Sequence, residues 1–113
     1  MKKVFVCALI TASLAAATLS AKGQEGDQYA GGKTLYQEKC QACHGENGEG
    51  NGPMSSAFSP PPANFTRSEF WKMNTDQRIM NVAENGYRLM PPIALTADQA
   101  RKIVNYMTHI FKK

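Results

Sequence analysis

Apolar residues recur along the chain at helical spacing and no segment alternates with period two, so the pattern predicts an all-α domain. The clearest stripe lies near the C-terminus. There Ala100, Ile103, Val104, Met107, Ile110 and Phe111 share one face of a helix over residues 97–111, while Lys102, Asn105 and His109 point away. Thr96 and Gln99 have the spacing of a capping box at its start. A first helix is predicted over residues 28–42, with Asp27 as N-cap and Tyr29, Gly32, Leu35, Tyr36, Cys40 and Cys43 on one face. Two shorter helices fall between them. One opens on a Thr66-Arg67-Ser68-Glu69 capping box and carries Phe70, Trp71 and Met73; the other is capped by Thr75, holds Ile79, Met80, Val82 and Ala83, and ends at Asn85-Gly86.

Between these elements the pattern breaks down in two places. Residues 45–66 are rich in Gly, Asn, Pro and Ser, with Pro60-Pro61-Pro62 stiffening the middle, and residues 87–95 contain Met90-Pro91-Pro92. Loops longer than roughly 12–15 residues are uncommon in compact domains unless they are functional or wrap something. A large ligand accounts for the first of them. Gly31-Gly32 inside a predicted helix costs about 1 kcal/mol per Gly against Ala, so Gly32 is expected where another backbone or ring approaches closely.

The N-terminus belongs to a different class. Lys2 and Lys3, the apolar run 4–14 and the small residues 15–21 have the order of a secretory signal peptide over residues 1–23, cleaved after Ala21 or Gly23. The apolar run is shorter than the roughly 20 residues of a spanning helix, which makes an uncleaved anchor the lesser alternative. Cys7 follows Val6 rather than a small residue and lies within the apolar run, so a lipid-modified cysteine is not expected. Two of the thirteen basic residues precede the cut, so the exported domain, residues 24–113, carries only a small positive excess over nine acidic ones. Without basic clusters interleaved with aromatics this excludes a nucleic-acid footprint. It also leaves two cysteines, Cys40 and Cys43, in an oxidising compartment, which points to the periplasm.

Cys40-Gln41-Ala42-Cys43-His44 is the attachment pattern for c-type haem. Two thiols three residues apart near a helix end can form thioethers with the two vinyl groups on one edge of the porphyrin, while the adjacent imidazole reaches the iron. Other readings of the cysteines fit less well. A thioredoxin-like pair needs a βαβ context, and a zinc site needs a fourth ligand, for which His109, on the solvent face, is the only other histidine. A short disulfide leaves His44 and the long loops unexplained. A second axial ligand is then required from Met54, Met73, Met80, Met90 or Met107. Met80 and Met107 sit on apolar helical stripes, where gap-filling is the ordinary role. Met90 instead lies between a Gly-ended helix and a Pro pair, in backbone stiff enough to hold a thioether, and is the expected ligand.

With these residues assembled, the chain resembles the class I, monohaem cytochrome c family, in its bacterial form, from about Gly31 to Lys113. The haem motif, Gly32 and Tyr36 eight and four residues before Cys40, Ile103 and Tyr106 on the last helix, and Gly86-Tyr87-Arg88-Leu89-Met90-Pro91 carry the resemblance. It implies a small cytochrome c fold, with N- and C-terminal helices crossing at Gly32 and irregular loops wrapping the haem. One covalent haem c is implied, held by Cys40 and Cys43 with His44 and Met90 on iron. By the same analogy Pro53, with Pro60 to Pro62 behind it, is the expected carbonyl partner of the His44 imidazole, and Trp71 either places its indole N–H on a haem propionate or is an ordinary core tryptophan. The function implied is that of a monomeric periplasmic one-electron carrier, not an enzyme, docking transiently on redox partner proteins. An electron-input subunit of a larger oxidoreductase and a haem-based gas sensor are the alternatives. His/Met ligation in an apolar pocket favours a comparatively high reduction potential.

Overall fold

The computed structural model describes residues 22–113, with side chains from residue 28 onward; the leader expected over residues 1–23, Cys7 included, lies outside them but for its last two positions. Among the described residues five α-helices follow one another: α1 (Lys22–Lys39), α2 (Gln41–His44), α3 (Ser68–Met73), α4 (Asp76–Asn85) and α5 (Ala97–Phe111), with a 3-10 turn at Ser55–Ala57. The described residues contain no strand, only an isolated antiparallel bridge between Tyr87 and Met90. No helix among them is long and apolar enough to cross a membrane.

The frame is the packing of α1 against α5. Tyr36, Phe65, Ile103, Tyr106, Met107 and Phe111 form the core. The Tyr36 ring stands 5.7 Å from that of Tyr106 and 5.4 Å from that of Phe111. Gly32 makes the close approach expected of it: a Cβ there would run into the carbonyl oxygen of Lys102 and lie 2.8 Å from the Cβ of Tyr106. The helix propensity given up at this position is thus exchanged for contact between two backbones.

Local signals were met unevenly. Thr96 and Gln99 form both bonds of the capping box at α5, and Thr75 accepts from the Arg78 N–H at α4. At α3 the expected box is absent. Both the N–H and the hydroxyl of Thr66 bond the Asn64 side chain, at 2.9 and 2.6 Å, and the helix begins after Arg67 with no side-chain cap. Asn64, two residues upstream, takes the Thr66 N–H that the Glu69 side chain would accept in a capping box, and it draws the Thr66 hydroxyl toward itself. The first helix starts earlier than expected, at Lys22, so Asp27 lies inside it, and it ends at Lys39 because Cys40 leaves helical geometry (φ −121°, ψ −36°). On α5 Tyr106 is buried and Ile110 is 46% exposed. The predicted stripe included Ile110 and left out Tyr106; the structure reverses the two, because α1 covers Tyr106 and not Ile110.

Candidate functional site

Cys40 redirects the chain between α1 and α2, and the single turn of α2 then presents Cys43 and His44. A helix this short leaves every carbonyl without an internal partner, and the loop that follows supplies them. Gly45, Met54, Gly52 and Gly50 donate to the carbonyls of Gln41 (2.8 Å), Ala42 (2.8 Å), Cys43 (3.1 Å) and His44 (2.8 Å). Gly50 does so at φ +78°, with Pro62 against its α-carbon, a place only glycine fits. Behind the turn, the buried Tyr36 hydroxyl donates to the Gly45 carbonyl at 2.7 Å. The Gly-rich loop is therefore the clamp that holds the cysteine-histidine turn in shape.

His44 is buried and fixed on two sides. Its ring stacks on Phe65, centroids 4.5 Å apart, and Nδ1 lies 3.1 Å from the Ala63 carbonyl oxygen. A carbonyl only accepts, so Nδ1 carries the proton and Nε2 keeps its lone pair, the arrangement of a ligating histidine. Burial lowers the imidazole's pKa, partly opposed by the bond to Ala63. The side chain is held in its neutral, ligating form. Burial, with Cys43 adding to it, pushes the Cys40 thiol up to about 12. That is opposite in direction to the activated thiolate of a dithiol redox centre.

Cys40, Cys43 and His44 form one wall of an apolar cavity of about 360 Å³. Ile79, Val82 and Ala83 of α4 and Ile103, Val104 and Met107 of α5 line it, along with Pro60, Pro61, Pro62 and Ala63 of the loop. Ile79, Val82 and Ala83 on the apolar side of α4 face this cavity, and none of the helix's residues is fully buried.

Met90 lines the same cavity from the second irregular segment. The segment is built to hold it. Gly86 ends α4 at φ +79°, Tyr87 and Met90 exchange two backbone bonds of 3.0 Å, and the Ile93 N–H ties the chain back to the Ala83 carbonyl at 2.9 Å. Met107 also lines the cavity, from within the α5 core. Met54 and Met73 lie outside the lining, 55% and 78% exposed, and Met80 is likewise not part of it.

Two expected roles are corrected. Pro53 is exposed and takes no part in holding His44; the carbonyl that does so belongs to Ala63, at the far end of the proline run. The Gly-rich loop is long enough to bring the chain back to His44 ten residues after Pro53, and the Pro60-Pro61-Pro62 segment leads directly into the orienting carbonyl. Trp71 donates its indole N–H to the Phe65 carbonyl at 2.8 Å and lies outside the cavity lining, so its one donor serves the loop and not a propionate. Sequence reasoning missed Ala63 and Phe65. The available signal was their position directly after a rigid proline segment.

The donor set fits a haem: two thiols and an imidazole on one wall, a thioether on the same apolar cavity. Residues 27–107 match the family described as cytochrome C oxidase, cbb3-type, subunit III. Among solved structures, a chain of the Kuenenia stuttgartiensis reducing HAO-like protein complex is similar. Its TM-score is 0.58 with 28% sequence identity, over 72% of this chain and 41% of that one, so this chain spans less than half of that relative's length. A comparison with curated proteins finds no match.

Proposed function

The chain belongs to the family of c-type cytochromes described as cytochrome C oxidase, cbb3-type, subunit III, and from that premise we propose that it is a periplasmic one-electron carrier with a single haem c. The family implies covalently bound haem and electron transfer; the carrier role, the haem number and the ligands are the reading made here. The observation that carries it is the cavity on which Cys40, Cys43, His44 and Met90 converge.

When bound, the haem supplies an Fe(III)/Fe(II) couple. The protein's part is to hold and insulate it. Cys40 and Cys43 are the thioether anchors. His44 would offer Nε2 to iron because Ala63 occupies Nδ1, and Met90 would offer its sulfur from the turn that the two Tyr87–Met90 bonds close after Gly86. With His44 and Met90 both holding the iron, the protein would leave no position for oxygen or substrate. The aliphatic lining excludes water and disfavours the extra charge of the oxidised state, which raises the potential. The exposed cavity rim suits small, transient docking of the kind redox partners use.

A second reading is favoured by the similar chain in a protein complex: an electron-input subunit held in a larger oxidoreductase. Material purified from the periplasm separates the readings. A free carrier elutes as a monomer, shows a sulfur-to-iron charge-transfer band when oxidised, and binds no CO when reduced. Co-purification with a fixed partner favours the subunit, and rapid CO binding at neutral pH contradicts His/Met ligation.

A further inference from the structure

The Phe65 ring that stacks on His44 is the inner member of a run of aromatic side chains that leads out of the cavity wall. Phe65 is buried, Phe70 and Trp71 are half-buried, and Trp71 is the chain's one tryptophan. Phe65 and Phe70 line the cavity and Trp71 does not. The Phe65 and Phe70 centroids are 4.9 Å apart, and Phe70 meets Trp71 edge-on at 5.1 Å. A second link bypasses Phe70, through the 2.8 Å bond from the indole N–H to the Phe65 carbonyl. Ring contacts and a hydrogen bond therefore join Trp71 to the His44 imidazole without a break. The outer end of the run is basic. Lys112 Nζ lies 5.9 Å from the Trp71 ring centroid, a cation over its face. Lys72 follows Trp71 on α3 and Arg67 precedes that helix, both exposed, whereas Glu69 is the one acidic side chain on α3. Lys113 shares a separate shallow cleft with Glu49 and adds nothing to the balance. The ion pair formed among the described residues, Lys102–Asp98, involves none of these groups, so the excess of positive charge around Trp71 is uncompensated.

From this we infer that Trp71 is a second electron port, separate from the cavity rim, for a redox protein with an acidic docking face, and that Phe70 and Phe65 bridge it to His44. The inference rests on the haem reading above. Electronic coupling falls steeply across empty gaps and is sustained by ring contact and hydrogen bonds, which is what the run from Trp71 to His44 supplies. The rings act as a bridge and are neither oxidised nor reduced. One electron leaves the partner's reduced centre and reaches the His44-bound iron, Fe(III) becoming Fe(II); no bond breaks and no proton moves. Complementary charge brings the partner to Lys72, Lys112 and Arg67 and orients it over the indole. With ports at the rim and at Trp71, an electron can enter while a second partner is still docked at the exit. Packing alone is the competing account of the three rings. It assigns no role to the basic face and expects no rate to depend on where the electron starts.

The test attaches a ruthenium photoreductant to holoprotein, either through Lys72→Cys beside Trp71 or through Arg101→Cys on the exposed side of α5. Each labelled protein is combined with Trp71→Leu, Phe70→Leu or Trp71→Phe, and midpoint potentials are measured so that rates are compared at equal driving force. After a laser flash, transfer from the label at 72 should slow in Trp71→Leu and Phe70→Leu, with Trp71→Phe, which keeps a ring but loses the donor, in between. Transfer from the label at 101 should not change. If Trp71→Leu fails to mature, Phe70→Leu and Trp71→Phe are read by the same criteria. Rates that fall equally from both labels, or from neither, overturn the route. For the docking face, oxidised flavodoxin, an acidic redox protein, is titrated at low salt into reduced, nitrogen-15-labelled holoprotein. The single indole N–H resonance should shift, and the combined Lys72→Gln, Lys112→Gln protein should need more flavodoxin for the same shift. An indole resonance that stays still while those of Tyr87 to Met90 move overturns the port. A parent that carries no haem defeats the proposed function; contrary results from a haem-loaded, Met-ligated parent defeat this inference alone.

Discussion

Placing a methyl group at Gly32 and at its neighbour Gly31 separates two effects that glycine usually confounds. Both residues lie in α1, so replacement by alanine returns about 1 kcal/mol of helix propensity at each. At Gly31 the new Cβ meets only the Lys102 Cδ at 3.8 Å, an ordinary contact with a flexible chain. Gly31→Ala should therefore stabilise by about 1 kcal/mol, raising Tm by about 4–8 °C in a domain of this size. At Gly32 the same atom runs into the Lys102 carbonyl oxygen and lies 2.9 Å from its carbon and 2.8 Å from the Tyr106 Cβ. None of these atoms can swing aside, so α1 and α5 must separate. Overpacking of this kind costs about 1–3 kcal/mol, and backbone involvement puts it at the upper end. Set against the propensity gain, the net loss is about 2 kcal/mol, or a Tm lower by about 8–16 °C. Thermal unfolding of the two holoprotein variants, followed by far-UV circular dichroism, makes the comparison. A Gly32→Ala protein that melts with Gly31→Ala, or above the parent, would refute the packing argument.

Met90→Ala should open an axial position, so that the reduced protein binds CO and the midpoint potential falls; Met54→Ala and Met73→Ala, both exposed, should do neither, and stopped-flow CO binding distinguishes them. Met107→Leu, which keeps volume in the α5 core, should cost less than about 1.5 kcal/mol and leave the sulfur-to-iron band intact. Trp71→Phe removes the donor to the Phe65 carbonyl and should destabilise by about 1–3 kcal/mol without moving the potential, as read by denaturant titration and spectroelectrochemistry. A potential drop would instead return Trp71 to the propionate.

The parts of this protein visible in its sequence are those fixed by local chemistry or by helical period. α5 was legible to its capping box because Thr96, Gln99 and the apolar stripe agree with one another. Gly32 was legible because a glycine in a helix needs a reason, and the approach of Lys102 and Tyr106 is that reason. Met90 stood out from the other methionines through its Gly and Pro neighbours, and it does line the cavity that holds Cys40, Cys43 and His44. What stayed hidden depends on where a long loop returns. Residues 45–66 carry no period, so beyond the position of Ala63 after the rigid proline run the chain gives no sign that Ala63, and not Pro53, meets His44, or that Trp71 is occupied by Phe65. The Thr66 cap failed because Asn64 accepts from both the Thr66 N–H and its hydroxyl and so holds the residue in a local turn.

Whether a tetrapyrrole is joined to Cys40 and Cys43 decides the rest. The mass of the protein recovered from the periplasm, taken together with a pyridine haemochrome spectrum, answers it. One haem added to the processed polypeptide, with the spectrum of a doubly thioether-linked porphyrin, is the result expected, and it should vanish in a Cys40→Ala, Cys43→Ala protein. A colourless wild-type product with the bare polypeptide mass would contradict the account.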